Sequence, residues 1–260
     1  MWRENASLAR TETSLTVSVA TVHHGPTQRL FDSLVVYHDI ASRSATLNMA
    51  IDEALLENAI EPTIRFYKWD HPALSFGYFG KLADVTHHSS ERDLVRRWTG
   101  GGIVFHGDDL TYSIVIPASH SAFTESSRSI YEKIHDAIRA AFAAHGKSVE
   151  LAEDRDAALR RPRTAQRAVP TNNECFANPV RADVLSGGRK IAGAAQRRTR
   201  RGLLQQGSIQ NVDLTSEFAL HFAKELCSQC RDKTLNESLL ARAREIAEQK
   251  YSAAIWLRRR

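Results

Sequence analysis

LVRRWTGGGIVFHGDDLTYSIVIP, residues Leu94–Pro117, is the stretch on which the fold turns. It joins a short apolar entry (Leu94, Val95), two arginines (Arg96, Arg97), three glycines (Gly100, Gly101, Gly102), a histidine at a strand end (His106) and an apolar exit strand from Tyr112 to Ile116. Consecutive glycines remove the steric limits set by Cβ, so backbone N–H groups can approach a ligand closely and φ can turn positive. The pattern reads as a binding loop with a strand on each side. A bulge or tight turn uses glycine for purely structural ends, so the triplet alone leaves both readings open and its surroundings must decide.

Outward from the loop, Leu34 to Tyr37 reads as a strand, and Leu47, Ile51, Ala54, Leu55 and Ala59 follow helical spacing over Thr46 to Ala59 with Glu53 and Glu57 outward. Thr63 to Trp69 has the β-branched and aromatic content of a strand, which His71-Pro72 ends. Ala73 to Gly80, Leu94 to Arg97, Ile103 to His106 and Tyr112 to Ile116 are expected to continue one sheet around the glycine turn. A second helix spans Ile130 to His145 and stops at Gly146, a favourable residue past a helix end. From Ala152 to Asn173 the pattern dissolves into charged, proline-containing sequence expected to be a long mobile loop. Gly187-Gly188 between two strand-like runs signals a tight hairpin, and another strand follows near Leu203 to Ile209. The sequence is expected to be helical from Leu214, with a last amphipathic stretch around Leu235 to Trp256. The resulting division is a poorly ordered extension over 1–30, a catalytic domain over 31–232 and a helical tail over 233–260 packed on that domain.

The chain has 260 residues, 42% of them hydrophobic, enough to fill a core. No apolar run approaches the roughly 20 residues that span a bilayer, and the first residues lack a secretory h-region, so a cytoplasmic protein without membrane association is expected. Three cysteines, Cys175, Cys227 and Cys230, are too few for a disulfide framework and are expected to be thiols. The net charge of +5 is mild, but arginines cluster at Arg155, Arg160, Arg161, Arg163 and Arg167, at Arg197, Arg198, Arg200 and Arg201, and at Arg258 to Arg260. Such clusters form patches for an acidic partner, protein or nucleic acid, or sit solvated on loops.

Cys175 ends the long loop and Lys190 follows the hairpin turn. A cysteine thiolate is the natural attacker of a thioester, and a nearby ammonium lowers the thiol pKa and stabilises oxyanion charge, so together they form a plausible acyl-transfer pair. Taken singly, a lone cysteine is more often a small buried hydrophobe and a lone lysine after a turn is usually solvated. His106 can bind a carbonyl, act as a base or serve as a structural hydrogen-bonding residue. Cys227-Ser-Gln-Cys230 has CxxC spacing without a second pair of ligands and falls in the expected helical tail, which disfavours zinc or redox chemistry. His23-His24 and His87-His88 place neighbouring side chains apart, which disfavours metal chelation.

RRWTGGGIVFH, then LTYSIVIP, then Cys175-Phe176, the lysine of GGRKIAGAAQ fifteen residues after the cysteine, and finally QQGSI together resemble the lipoate–protein ligase and octanoyltransferase superfamily, which shares its catalytic fold with biotin ligases. The likeness runs from Ser33 to Leu214 and includes NMAIDEALL, Asn48 to Leu56. It implies an α/β (α+β) fold, a mixed, largely antiparallel sheet flanked by helices. It also implies Cys175 and Lys190 as the catalytic pair, and an acyl site built from Arg97, Gly100, Gly101, Gly102, His106, Tyr112, Ser113, Gly193 and Ala194. The cysteine and its spacing are most similar to the cysteine-dependent octanoyltransferases. Those enzymes take octanoate from acyl carrier protein and pass it to a lysine of a lipoyl domain, in the glycine cleavage H protein or a 2-oxoacid dehydrogenase E2, with no cofactor and no metal. The glycine triplet itself resembles the loop of the ligases, so an ATP- and Mg²⁺-dependent lipoate–protein ligase is the alternative. A non-catalytic accessory or a basic nucleic-acid-binding domain is a further one. The biotin ligase motifs are missing, no nucleic acid partner is expected, and a monomer is expected.

Overall fold

The computed structural model describes residues 29–153 and 179–259. The extension before residue 29 with His23 and His24, the arginines from Arg155 to Arg167, and Cys175 lie outside the described residues.

Strands come first in the chain because β-branched and aromatic residues alternate with turn signals. The described strands are β1 (Phe31–Arg43), β2 (Thr63–Trp69), β3 (Ala73–Phe76), β4 (Asp93–Arg96), β5 (Ile103–His106), β6 (Leu110–Pro117), β7 (Glu150–Leu151), β8 (Val184–Ser186), β9 (Arg189–Arg198), β10 (Gly202–Ile209) and β11 (Cys227–Lys233). The helices are α1 (Ala45–Asn58), α2 (Ser127–Ala144), α3 (Phe218–Leu226), α4 (Glu237–Ile246) and α5 (Ala254–Leu257). Eight strands form one sheet in the order β11-β1-β2-β6-β10-β9-β8-β7. Within it β1 runs parallel to both neighbours, and the remaining pairs are antiparallel. This is the mixed, largely antiparallel sheet flanked by helices that the sequence implies.

Of the strands expected to continue one sheet, Tyr112 to Ile116 does so within β6, but those next to the glycine turn, β3, β4 and β5, do not, which corrects the sequence expectation. They form a separate three-stranded sheet, β4-β3-β5, with β3 parallel to β4 and antiparallel to β5. Residues of both sheets face a common gap, which one continuous sheet would not enclose.

Alternation along the strands sorts the core into two layers. Ile64, Phe66, Tyr112, Ile114 and Ile116 face α2 and α3 through Ile130, Ile134, Ile138, Phe142, Phe218 and Phe222. Tyr67, Trp69, Val115 and Leu204 face α1 through Met49, Ile51 and Leu55, and α4 and α5 add Ala243, Ile246 and Trp256 to that second cluster. Ser44 caps α1 by accepting from the Leu47 N–H, and Ser126 caps α2 by accepting from Ser129 N–H. Gly187 and Gly188, with φ of 54° and 75°, make the two-residue turn between β8 and β9. No described helix is long and apolar enough to cross a membrane.

Cys227 and Cys230 lie in β11, an edge strand, and not in a helical tail; the two are joined as a disulfide, which corrects the thiol expectation for this pair. Arg96 is fully buried and donates to five carbonyl oxygens, those of Tyr78, Gly80, Trp256, Leu257 and Arg259, which ties α5 to the small sheet.

Candidate active site

A cavity opens where the two sheets face each other, with about 370 Å³ of empty space when the solvent at its mouth is included. Its exposed lining is mostly apolar with a few polar groups, the composition usual for a small-molecule site. One wall is the large sheet, through Trp69, Thr111, Gly193, Ala194 and Ser208; the other is the small sheet, through Ser75, Val104 and His106, with Arg97 beside them.

The glycine loop forms the junction. Gly101 has φ +84°, in the left-handed region that favours glycine, and a Cβ there would stand 3.2 Å from Ala195 Cβ and 3.3 Å from Arg97 Nη2. Arg97 holds the loop from below: Nη2 donates to the Gly100 and Gly102 carbonyls at 3.1 and 2.8 Å, and Nη1 donates to the Ser75 carbonyl at 2.8 Å and hydroxyl at 2.6 Å. Its guanidinium thus builds the loop that shapes the cavity.

His106 is held at both nitrogens. Nδ1 lies 2.9 Å from Asp109 Oδ2 and Nε2 lies 2.6 Å from Ser75 Oγ. The Asp109 carboxylate can only accept, so Nδ1 carries a proton toward it, while Nε2 is engaged by the Ser75 hydroxyl, which also accepts from Arg97 Nη1. Trp69 stacks on the ring at 4.1 Å between centroids. Burial pushes the Asp109 carboxyl up, but the facing His106 and the hydrogen bonds from His106, Ser208 and Thr111 outweigh it and hold the group below the usual carboxylate range. Both nitrogens of the imidazole are therefore engaged, and the ring lines the cavity.

Lys190 is buried, which a lysine after a surface turn is not expected to be. Its Nζ lies 2.8 Å from Asp183 Oδ2, with side-chain exposures of 2% and 0%. Gly193 makes the space: a Cβ there would collide with the Lys190 side chain and stand 2.5 Å from Nζ. Tyr131 donates to Asp183 Oδ1 at 2.6 Å and accepts from the Ala194 N–H at 3.2 Å; burial and the Asp183 charge push its phenol pKa up. The ammonium thus sits behind Gly193, whose other face lines the cavity.

The structure brings Arg97, His106, Gly193 and Ala194 together at one cavity; Gly101 lies against Ala195 and Arg97 of its lining and Lys190 adjoins through Gly193, but Gly100, Gly101, Gly102 and Lys190 do not themselves line it. It does not bring Tyr112 or Ser113 there. Tyr112 points into the α2 layer beneath Gly207, and burial pushes its phenol pKa up. The Ser113 hydroxyl donates to Asp52 Oδ1 at 2.7 Å on the α1 side.

Sequence reading missed Asp52, Asp109, Asp183, Ser75 and Gln206. Asp52 is the hub of a buried network, accepting from Arg65 (3.0 Å), Ser113, Tyr67 (3.2 Å) and Gln206 (2.7 Å), and Gln206 in turn accepts from Thr99 beside the glycine loop at 2.8 Å. An aspartate inside the apolar stripe of NMAIDEALL was the available signal, because a buried carboxylate needs partners. Among the described residues one group of potential metal ligands lies together, Asp70, His71 and Asp93; all three are exposed and none lines the cavity.

The family model of the lipoyl protein ligase A/B catalytic domain matches residues 44–250. The chain belongs to that family. Curated relatives are named octanoyltransferase LipM. The chain is 40% identical to that of Oceanobacillus iheyensis over 185 residues, 66% of this chain and 63% of the relative. It is 34% identical to that of Staphylococcus epidermidis over 223 residues, 80% of this chain and 74% of the relative. The match therefore spans a little under two thirds of the first relative's length. Among solved structures, a lipoate-protein ligase A bound with ATP superposes with a TM-score of 0.66 at 21% identity, covering 87% of this chain and 98% of that one. A bipartite lipoate protein ligase from Thermoplasma acidophilum, described with its E2 lipoyl domain, gives 0.64 at 18% identity, covering 87% and 96%. These likenesses establish a shared fold.

Proposed function

We propose that the protein is an octanoyltransferase that takes an octanoyl group from acyl carrier protein onto Cys175 and passes it to a lysine of a lipoyl domain. The observation that carries this reading is Lys190, a charged side chain buried behind the wall of an apolar cavity and fifteen residues after the cysteine. The names of the curated relatives support it. In the first half-reaction the Cys175 thiolate adds to the thioester carbonyl, the carbon–sulfur bond to the carrier breaks, and the carrier thiolate leaves and takes up a proton. In the second, the acceptor amine adds to the same carbonyl, the bond to Cys175 breaks, and the amine proton goes to the sulfur through solvent. Lys190 orients the carbonyl oxygen through its ammonium. A lysine ammonium has three N–H donors, so a bond to Asp183 and one to a carbonyl oxygen are compatible. The charge reaching the thiol is then that of an ion pair, a weaker field than a lone ammonium gives.

The transfer needs neither ATP nor a metal, whereas the ligase alternative, favoured by the glycine triplet, uses ATP and Mg²⁺. Transfer from octanoyl-acyl carrier protein to a purified lipoyl domain is expected to proceed without ATP and to fall by about 10³-fold or more in Cys175→Ala. ATP-dependent attachment of free lipoate that survives Cys175→Ala would establish the ligase instead.

A further inference from the structure

The chemistry above leaves one surface unused. Beyond Arg198 the chain turns through Thr199, Arg200 and Arg201 into β10, and this turn, with Trp98 and with Leu56 and Glu57 of α1, encloses a groove of about 800 Å³ including open solvent. Among the described residues Glu57 is the one carboxylate lining it, and two arginines share that group: Arg201 Nη1 at 3.2 Å and Arg242 Nε at 2.9 Å. Arg198 donates to the Phe123 and Glu125 carbonyls, neutral acceptors that leave its charge in place. Arg197 lies between two rings, 4.9 Å from the Tyr78 centroid and 4.8 Å from that of Trp98, and its buried Nε meets no acceptor among the described residues. Arg200 is exposed. Arg197, Arg198 and Arg200 therefore hold three positive charges with no carboxylate paired to them among the described residues.

The groove adjoins the cavity along one strand. Ala194 and Ala195 line the cavity, while Arg197 and Arg198 line the groove. At about 3.3 Å per residue, Ala195 to Arg198 is roughly 10 Å. A second link is the loop segment, where Arg97 lines the cavity and the adjacent Trp98 lines the groove. The aromatic faces are already taken: Arg197 covers Tyr78 and Trp98, Lys250 lies 4.2 Å from the Trp98 centroid, and Arg198 lies 4.3 Å from that of Phe123. Bases need open faces to stack on, so the charge complementarity favours carboxylates over nucleic acid.

We propose that this groove docks the acidic face of the protein carrying the acyl group, and that the donor carrier and the acceptor domain occupy it in turn, each excluding the other. The proposal rests on the acyl-transfer reading for the identity of its partners. One charged surface beside one cavity mouth admits one protein at a time, which a covalent intermediate on the enzyme makes workable, since donor and acceptor never need to be present together.

Calorimetry on the full chain tests this without turnover, with unacylated acyl carrier protein and an unmodified lipoyl domain as probes. Arg200→Glu is the variant, because Arg200 is exposed and its replacement disturbs no packed contact. Both probes are expected to bind at least tenfold more weakly to Arg200→Glu, to lose affinity steeply with salt, and to displace each other from the wild type. Equal affinity for wild type and Arg200→Glu, or a ternary complex of both probes with the enzyme, would overturn the proposal. Salt-sensitive binding of a 20-nucleotide RNA that is lost in Arg200→Glu, with neither protein probe bound, would overturn it in favour of nucleic acid. Turnover assayed alongside separates the two ideas, because an enzyme that binds both probes competitively yet transfers no octanoate contradicts the acyl-transfer reading and leaves the docking surface standing.

Discussion

Lys190 carries its charge inside the protein because Asp183 meets it at 2.8 Å, with Tyr131 fixing the other carboxylate oxygen. Removing one partner of a buried pair leaves an uncompensated charge and costs about 3–5 kcal/mol, far more than an exposed pair is worth. Asp183→Asn is therefore expected to lower the unfolding free energy in urea by about that amount, and Asp183→Asn with Lys190→Met to recover most of it. A single variant within about 1 kcal/mol of wild type would show that the ion pair does not hold Lys190 in place. At this scale the sequence was only half legible. Cys175, Lys190 and His106 stand out as types with chemistry, but their partners do not, because Asp109, Asp183 and Ser75 declare themselves only when the fold brings them within 3 Å. His106 is open to three readings in the sequence, and the engagement of both its nitrogens shows only in the fold.

Among the elements, α2 carries a buried histidine as well as an apolar stripe. His135 donates from Nδ1 to the Ala182 carbonyl at 2.7 Å and is fully buried. Burial pushes its pKa down to about 4; Asp183 and the Ala182 carbonyl oppose that, and Lys190 adds to it. The unfolded chain titrates near 6.5, so between about 6.5 and about 4 it binds more protons than the folded protein. Stability from this group is complete above that window and is lost as pH falls through it. Between about pH 7 and about pH 5 the wild type is expected to lose roughly 2 kcal/mol more than His135→Gln, read from urea unfolding at each pH. Identical losses would mean that His135 is not held neutral. The helices were legible to within a few residues because α1 and α2 follow a 3.6-residue period and end on clear signals, Gly146 with φ +69° among them. β11 was not, because an exposed edge strand reading CSQCRDK buries only Cys227 and so shows no alternation. The split into two sheets was equally hidden, since partners such as β3 and β5 are chosen by tertiary packing and not by local pattern.

At the scale of the whole molecule, two sheets close on one cavity, α1 and α4 cover one side of the large sheet, and α2 and α3 cover the other. This division explains how Arg97, just past β4, and His106 of β5 meet Gly193 and Ala194 of the large sheet at one cavity. Each CH₂ of a bound chain contributes about 0.8 kcal/mol only while such a space has room for it. The central claim is that the acyl group rests on the enzyme between donor and acceptor, and intact mass followed by peptide mapping tests it most directly. After incubation with octanoyl-acyl carrier protein and removal of the donor, the expected result is one octanoyl adduct, mapped to Cys175, that disappears when a lipoyl domain is added and reappears on that domain's lysine. An enzyme that modifies the lipoyl domain at full rate while Cys175 stays unmodified throughout would contradict it.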